Sequence, residues 1–348
     1  MFPETFVQKN LVYSKEGDLV LDPFSGRGTT VFQSLLSNRQ AIAIDVNPIA
    51  VCVSRAKANA PSETDVLERI GYLKKRFILT QQAPERSDPF FQLCFSKNTL
   101  EQILYLRKML KWRESQVDCF IAAMALGRLH GESVQSSSYF SNQMPRTIST
   151  KPNYSVNWWL KNKHQPPARD VFAILSNETA FRFLTPPPKR KGVVMEGDAR
   201  NAGRLFSRRK GKVNLVITSP PYLDTTNFAE DQWLRNWFLG GNTNPNNISN
   251  DDHRHSNRQK YWEFLKESFA GISPLLAPKS VLVIRIGGKK IEFAEAENEL
   301  RNSLKVSTGK RVTLRSAHVS KIGDGQLKTF SPHAVGSKRE FDFVFSLS

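Results

Sequence analysis

The stretch "GDLVLDPFSGRGTTVFQSLLSNRQAIAIDVNP", residues 17 to 48, constrains the fold more than any other part of the chain. An apolar run ends at Asp22, a turn with two glycines follows, "TTVFQSLLSNR" carries apolar residues at helical spacing, and a second apolar run ends at Asp45. Strand, glycine turn, helix and strand make a βαβ unit, so a parallel sheet covered by helices is expected. Further strands are read at "VVMEGD", "VNLVITS", "SVLVIRI", "RVTLRS" and "EFDFVFSLS", and a short amphipathic helix at "TFVQKNLVY" ahead of the first strand.

Between the second and third strands the alternation stops. "TLEQILYLRKMLKW" places Leu100, Ile103, Leu104 and Leu110 on one helical face, and "VDCFIAAMALGRLHG" is apolar nearly all round, as a buried helix is. A polar loop spanning residues 133 to 159 and a Pro-rich basic hinge, "TPPPKRKG", complete this segment. The expected organisation is one α/β domain, residues 1–60 and 190–348, with a mainly helical insertion, residues 61–189, after the second strand.

The 50 Lys and Arg against 32 Asp and Glu leave +18, which points to a polyanionic partner. The cations fall in short clusters, "KNK" at 161–163, "KRK" at 189–191 and "RRKGK" at 208–212; each alone reads as a solvated surface, and their sum favours nucleic acid. No apolar run is long enough to span a membrane, and the first residues lack the pattern of a signal peptide, so a cytoplasmic protein is expected. Cys52, Cys94 and Cys119 form no CxxC pair and read as reduced structural thiols; no metal site is expected, and "HRH" at 253–255 reads as a solvated loop.

The turn "LDPFSGRGTT" selects among ligands. No Gly-Lys-Ser/Thr follows, so it is not a phosphate-cradling loop, and Val31 stands where a dinucleotide fingerprint needs glycine or alanine. Asp22 would repel a pyrophosphate and attract a cation, which suits S-adenosylmethionine. Asp45 at the next strand end is placed for ribose hydroxyls, and Asp198 in "EGDAR" for an adenine amino group. Each acid alone could equally be a loop carboxylate or a helix cap; three at successive strand ends favour a cofactor site.

"DPFSGRGTT" with "AIAIDVNP", and later "GDAR" and "TSPPY", resembles the amino-methylating DNA methyltransferases, which modify N4 of cytosine or N6 of adenine. The resemblance covers residues 2–60 and 190–290. It implies a Rossmann-like class I S-adenosylmethionine-dependent methyltransferase fold. It also implies a cofactor site made of Asp22, Pro23, Phe24, Ser25, Gly26, Gly28, Thr29, Thr30, Asp45, Asn47, Asp198 and Ala199, preceded by a contacting stretch with Phe2, Pro3 and Thr5. Arg27 stands where the family often has serine.

The corner Ser219, Pro220, Pro221, Tyr222 ends a strand. Two prolines stop pairing, and they also hold a backbone carbonyl rigidly. A base amine is a poor nucleophile; a hydroxyl at Ser219 and the Pro220 carbonyl can accept its two N–H bonds and aim its lone pair, with Tyr222 stacking on a flipped base. No strong base is needed if the proton leaves last, although Asp224 lies near in sequence. Carbon-5 methylation is disfavoured, since it needs a Pro-Cys nucleophile that the sequence lacks.

Serine in the first position of this motif resembles N4-cytosine enzymes more than N6-adenine ones. The expectation is therefore N4-cytosine methylation of double-stranded DNA, with N6-adenine as the alternative and an RNA base methyltransferase or a non-catalytic nucleic-acid-binding subunit as rivals. The resemblance also admits a restriction-modification role beside a cognate endonuclease. Asn142, Gln143 and Arg146 in the inserted loop are candidate readers of base edges, and residues 240–260 form a second candidate surface.

Overall fold

The computed structural model describes residues 2–79, 83–131, 136–142, 144, 152–223, 232–243, 257–287, 291–321 and 339–348, which divide between two compact units. One unit holds residues 1–58, 188–226 and 250–348; the other holds residues 59–187 and 227–249. Residues 227–249 thus group with the inserted segment and not, as the sequence suggested, with the sheet. The reason is aromatic: Trp233 and Trp237 of helix Trp233–Phe238 pack on Phe91, with ring centroids 6.3 and 4.6 Å apart.

In the first unit, seven strands among the described residues form one sheet: β1 (Leu19–Asp22), β2 (Gln40–Asp45), β3 (Val193–Glu196), β4 (Val213–Thr218), β5 (Leu276–Gly287), β6 (Val312–Lys321) and β7 (Arg339–Leu347). Their order is β3-β2-β1-β4-β5-β7-β6. Strands β1 to β5 pair in parallel, and β7 runs antiparallel between β5 and β6. This is an α/β, Rossmann-like sheet of the kind expected from the βαβ unit, closed by an antiparallel last strand.

Strand pleating decides what each face buries. Leu19, Leu21, Ile42 and Ile44 point into one core, which helices Arg258–Ile272 and Phe293–Thr308 cover with residues such as Leu265, Phe269, Leu300 and Leu304. Val20, Leu215, Ile217, Val283 and Val344 point the other way, against Phe6, Val7 and Leu11 of the N-terminal helix Glu4–Asn10 and the turn after it. Each buried leucine or valine contributes about 1.5–3 kcal/mol, so the two faces together fix the register of the strands.

Parallel strands in the order β3-β2-β1-β4 put their C-terminal ends along one edge. Asp22 and Asp45 are the last residues of β1 and β2, Asp198 follows β3 by two residues, and Ser219 follows β4. Residues scattered over two hundred positions of sequence are thereby collected at one end of one sheet.

The second unit is helical. Its helix Gln116–Arg128 buries Cys119, Ile121, Ala122, Ala125 and Leu126, as its apolar pattern predicted. Helix Pro152–Lys161 occupies the end of the stretch read as a polar loop, because Ser155 and Trp159, four residues apart, can both turn inward from a helix. Trp237 donates its indole N–H to buried Glu85 at 2.8 Å, and Arg128 pairs with buried Glu178. The three cysteines are buried and none is in a disulfide. Among the described residues no helix is long and apolar enough to cross a membrane, and no cluster of metal-ligating side chains occurs.

Candidate functional site

The glycine turn after β1 is held by its neighbours on both sides. The Ser25 N–H donates to the Ile44 carbonyl of β2, the Gly26 N–H donates to Asp45 at 2.8 Å, and the Ser25 hydroxyl bonds Ser54 at 2.8 Å. Gly28 is required twice over: its φ is +73°, and a Cβ there would sit 2.8 Å from the Ser54 hydroxyl and 3.0 Å from the Ser54 backbone. Thr29 then opens the crossover helix Thr29–Leu36, with Thr30 buried beneath it and donating to the Ile217 carbonyl of β4. Phe24 packs on Phe264 with centroids 5.7 Å apart.

Asp22 lies below this turn, 1% exposed, and accepts from the Phe24 N–H at 3.1 Å and the Thr218 hydroxyl at 2.8 Å. Burial raises its pKa to about 6, against the opposing effect of its hydrogen bonds to Thr218, Thr30 and Phe24. Asp45 accepts from Gly26 and, at 2.9 Å, from Asn47, whose own side chain caps the next helix through the Ile49 N–H; burial raises the Asp45 pKa too. Neither acid is ion-paired among the described residues. Two desolvated carboxylates beside one turn favour a cation there, and S-adenosylmethionine carries two, an amino group and a sulfonium. A carboxylate offers about four acceptor sites, so Asp45 keeps capacity for a ribose hydroxyl beside its backbone bonds.

Asp198 and its neighbour Ala199 reach the same edge, and there the cap that the sequence left open is what the structure displays. Both Asp198 oxygens are held by Arg200, at 3.0 and 2.8 Å, and one accepts the Arg200 N–H. Arg200 is shared with Glu267 at 3.0 Å. A contact from Asp198 to adenine would have to share the carboxylate with that arginine. Phe2, Pro3 and Thr5 stand at the start of the N-terminal helix, where Pro3 is the cap and Phe2 packs on Phe6 at 5.0 Å.

The corner after β4 is tied to the cofactor turn through its first neighbour: Thr218, bonded to Asp22, directly precedes Ser219. Pro220 is buried, and Ser219, Pro221 and Tyr222 are half-buried. Ser219 lies within hydrogen-bonding reach of the Tyr222 phenol, which donates to Glu340 at 2.6 Å. Burial, then the Glu340 charge and hydrogen bond, raise the Tyr222 pKa, so the phenol stays protonated and a donor. The ring lies on Gly287, where a Cβ would come within 2.8 Å of Tyr222 Cε2.

Glu340 belongs to a group that motif reading missed. Arg285 pairs with Asp342 through two bonds of 2.6 and 2.7 Å and with Glu340 at 3.1 Å, and its guanidinium lies 4.0 Å from the Phe6 ring centroid. Antiparallel pairing sets Gly287 opposite Glu340 and Arg285 opposite Asp342. The signal was present in the sequence: one arginine inside the apolar "VLVIRI", and two acids at alternate positions of "EFDFVF", sharing one face.

Of the proposed readers, Asn142 lies among the described residues. Asn142 is 3% exposed; its side-chain amide donates to the Leu93 carbonyl at 3.0 Å and its N–H to Cys94, so it anchors its own loop and is not presented to a base. Gln143, Arg146, Asp224 and most of the 240–260 stretch lie outside the described residues.

Three comparisons with known proteins bear on the site. Residues 2–54 match the model of the N6/N4 methyltransferase family, DNA methylase, a segment that runs from the N-terminal helix through the glycine turn and β2. No curated protein matches the chain significantly. Among solved structures, the rRNA methyltransferase AviRa from Streptomyces viridochromogenes is 13% identical, with 99% of this chain and 85% of that one covered and a TM-score of 0.34. A putative RNA methyltransferase from Pyrococcus horikoshii is 11% identical, covering 99% and 82%, at a TM-score of 0.36. An rRNA methylase from Streptococcus thermophilus is 8% identical, covering 100% and 98%, at 0.37. Likenesses this distant decide nothing about substrate. What the geometry and the matched segment support together is S-adenosylmethionine-dependent methyl transfer.

Proposed function

We propose that the chain methylates the exocyclic N4 amine of a cytosine flipped out of double-stranded DNA, with N6 of adenine as the alternative target. The observation that carries this reading is the bond from Thr218 to Asp22, which places the Ser-Pro-Pro-Tyr corner next to the cofactor turn. When bound, S-adenosylmethionine supplies an electrophilic methyl group on its sulfonium.

The chain's own residues do the rest. Asp22 and Asp45 offset the cofactor's positive charge and hold its hydroxyls. The Ser219 hydroxyl and the Pro220 carbonyl accept the two amine N–H bonds, so the lone pair, otherwise delocalised into the ring, points outward. The methylated amine is cationic, and its proton passes to water. Tyr222 stacks on the base, a contact of about 1–3 kcal/mol that offsets part of the few kcal/mol needed to unstack it. Serine, and not an acid or asparagine, at position 219 favours cytosine over adenine.

Transfer from labelled cofactor to duplex DNA, followed by nucleoside analysis, tests this. N4-methylcytosine is expected; N6-methyladenine selects the alternative, and label only in RNA overturns the DNA reading. The double variant Ser219→Ala with Tyr222→Ala should lose at least about 100-fold in kcat/KM, given about 2.7 kcal/mol for two such contacts. Retained activity in that variant would sink the mechanism.

A further inference from the structure

Two of the three basic clusters that made nucleic acid an attractive partner, 189–191 and 208–212, are not at the site. In a parallel sheet the residues leading into the strands share the end opposite the site, and that is where the clusters fall: 189–191 leads into β3 and 208–212 into β4. Arg311 leads into β6, which runs the same way as β5 because both are antiparallel to β7, and Lys279 lies near the start of β5. Arg209 of the second cluster reaches Gln40, the first residue of β2, at 3.4 Å, so the clusters border one rim.

The side chains are available. Lys189, Arg190, Lys191, Arg208, Lys210 and Lys212 are all exposed, and none is in an ion pair among the described residues. The acids leading into strands at this end are Glu16 and Asp18, and Asp18 already accepts the Lys15 N–H at 2.8 Å. Six strand spacings of about 4.8 Å separate β3 from β6, a span of about 29 Å. A duplex covers that in about eight base pairs, with a phosphate charge for about every 1.7 Å. The segments 188–192, 207–212 and 309–311 carry no aromatic residue, which is the composition of a phosphate contact and not of a stacking platform for single strands.

We propose that this rim is a second, sequence-independent contact for the phosphate backbone of duplex DNA, on the end of the sheet opposite the methyl-transfer site. The proposal rests on the reading of DNA as substrate and adds to it. One polymer cannot pass straight along both ends of the strands, so the rim holds either a distant or a sharply bent part of the DNA whose base is being modified. The chain would stay on its polymer between transfers.

The test combines Arg208→Glu, Lys210→Glu and Lys212→Glu, all exposed and outside the cofactor site, in the full chain. Binding to a duplex of about 30 base pairs is followed by anisotropy between about 50 and 200 mM salt. Loss of three phosphate contacts should flatten the slope of log affinity against log salt by about 3 and weaken binding at least about tenfold, with cofactor affinity unchanged. Lysine acetylation supplies a second readout: duplex DNA should protect Lys189, Lys191, Lys210 and Lys212 and leave Lys266 reactive.

An unchanged salt slope, or equal acetylation with and without DNA, overturns the rim. So does rim-dependent binding to phosphatidylserine vesicles without an effect on DNA. Methylation of DNA by a variant with an unchanged slope would fail the rim and leave the substrate reading standing. Methyl transfer confined to RNA, with the rim still protected by DNA, would do the reverse.

Discussion

At one end of the sheet the side chains that matter are acids withdrawn from water; at the other they are cations left in it. Asp22 and Asp45 end β1 and β2 with raised pKa values and no ion pair among the described residues, whereas the cations of 189–191 and, Arg209 apart, of 208–212 lead into β3 and β4 exposed. Strand direction produces the difference. Buried carboxylates at the C-terminal end suit a small cationic cofactor, while the N-terminal end presents exposed positive charge suited to a long polyanion. The net charge of +18 therefore says little about the site itself, although it is what first raises nucleic acid as a partner to test.

The comparison breaks first at Asp45. Replacing it by alanine removes an acceptor for Gly26 and Asn47 as well as for the cofactor, and S-adenosylmethionine affinity should fall about 100-fold by calorimetry, as loss of a charged hydrogen bond of about 1.5–3 kcal/mol requires. Rim-dependent DNA binding should be untouched.

Asp22 sharpens it through pH. Its pKa is about 6 in the folded chain and 3.8 in its ordinary setting, a gap worth about 3 kcal/mol. The folded state thus holds the proton more tightly; that stabilisation is present at acid pH and is lost as pH rises from about 4 to about 6. Above pH 6 the cofactor-free protein carries the full cost of a buried charge, which a bound cation relieves. Asp22→Asn should raise the melting temperature of the free protein at pH 8 and weaken cofactor binding, and wild-type affinity should decline below about pH 6. A variant that is both less stable at pH 8 and normal in cofactor binding would show that Asp22 is structural.

Glu340 comes next. Glu340→Ala removes the acceptor 2.6 Å from the Tyr222 phenol and the carboxylate paired with one Arg285 nitrogen, and kcat/KM for DNA should fall about tenfold or more while cofactor affinity holds. Glu340→Gln keeps an acceptor for Tyr222 and should recover most of that loss. Equal losses in both variants would mean that the charge on Arg285, and not the position of Tyr222, is what Glu340 serves.

The sequence made the sheet legible because buried parallel strands are short apolar runs, and the acids at β1 and β2 were legible because each ends such a run. Asp198 was not: a carboxylate after a strand reads the same whether it caps the next turn or meets a ligand, and only the arginine two residues on shows which. Arg285 and Glu340 are 55 positions apart and acquire meaning only from the antiparallel register of β5 on β7. The rim is an extreme case of the same thing, since each cluster alone looks like ordinary solvated charge until strand direction collects them. Helix Trp233–Phe238 was assigned to the wrong unit because its partner, Phe91, is remote in sequence.

The smallest expected effect tests how closely the corner is set. Gly287 ends β5 directly opposite Glu340, and its missing side chain lets the Tyr222 ring lie on the strand. In Gly287→Ala the new Cβ would stand 2.8 Å from Cε2 and 3.1 Å from Cδ2, so the ring must move by a few tenths of an ångström. Its hydroxyl is anchored on Glu340, and Pro220 and Pro221 stiffen the backbone, so the ring can only tilt about that anchor. A tilt spoils stacking on the base more than it spoils the acceptors at Ser219 and Pro220. KM for DNA should therefore rise a few-fold, about 1 kcal/mol of stacking, with kcat nearly constant and the salt slope unchanged. A fall in kcat at constant KM would instead place the ring against the reacting amine, making Tyr222 part of the aiming device and not only the platform beneath it.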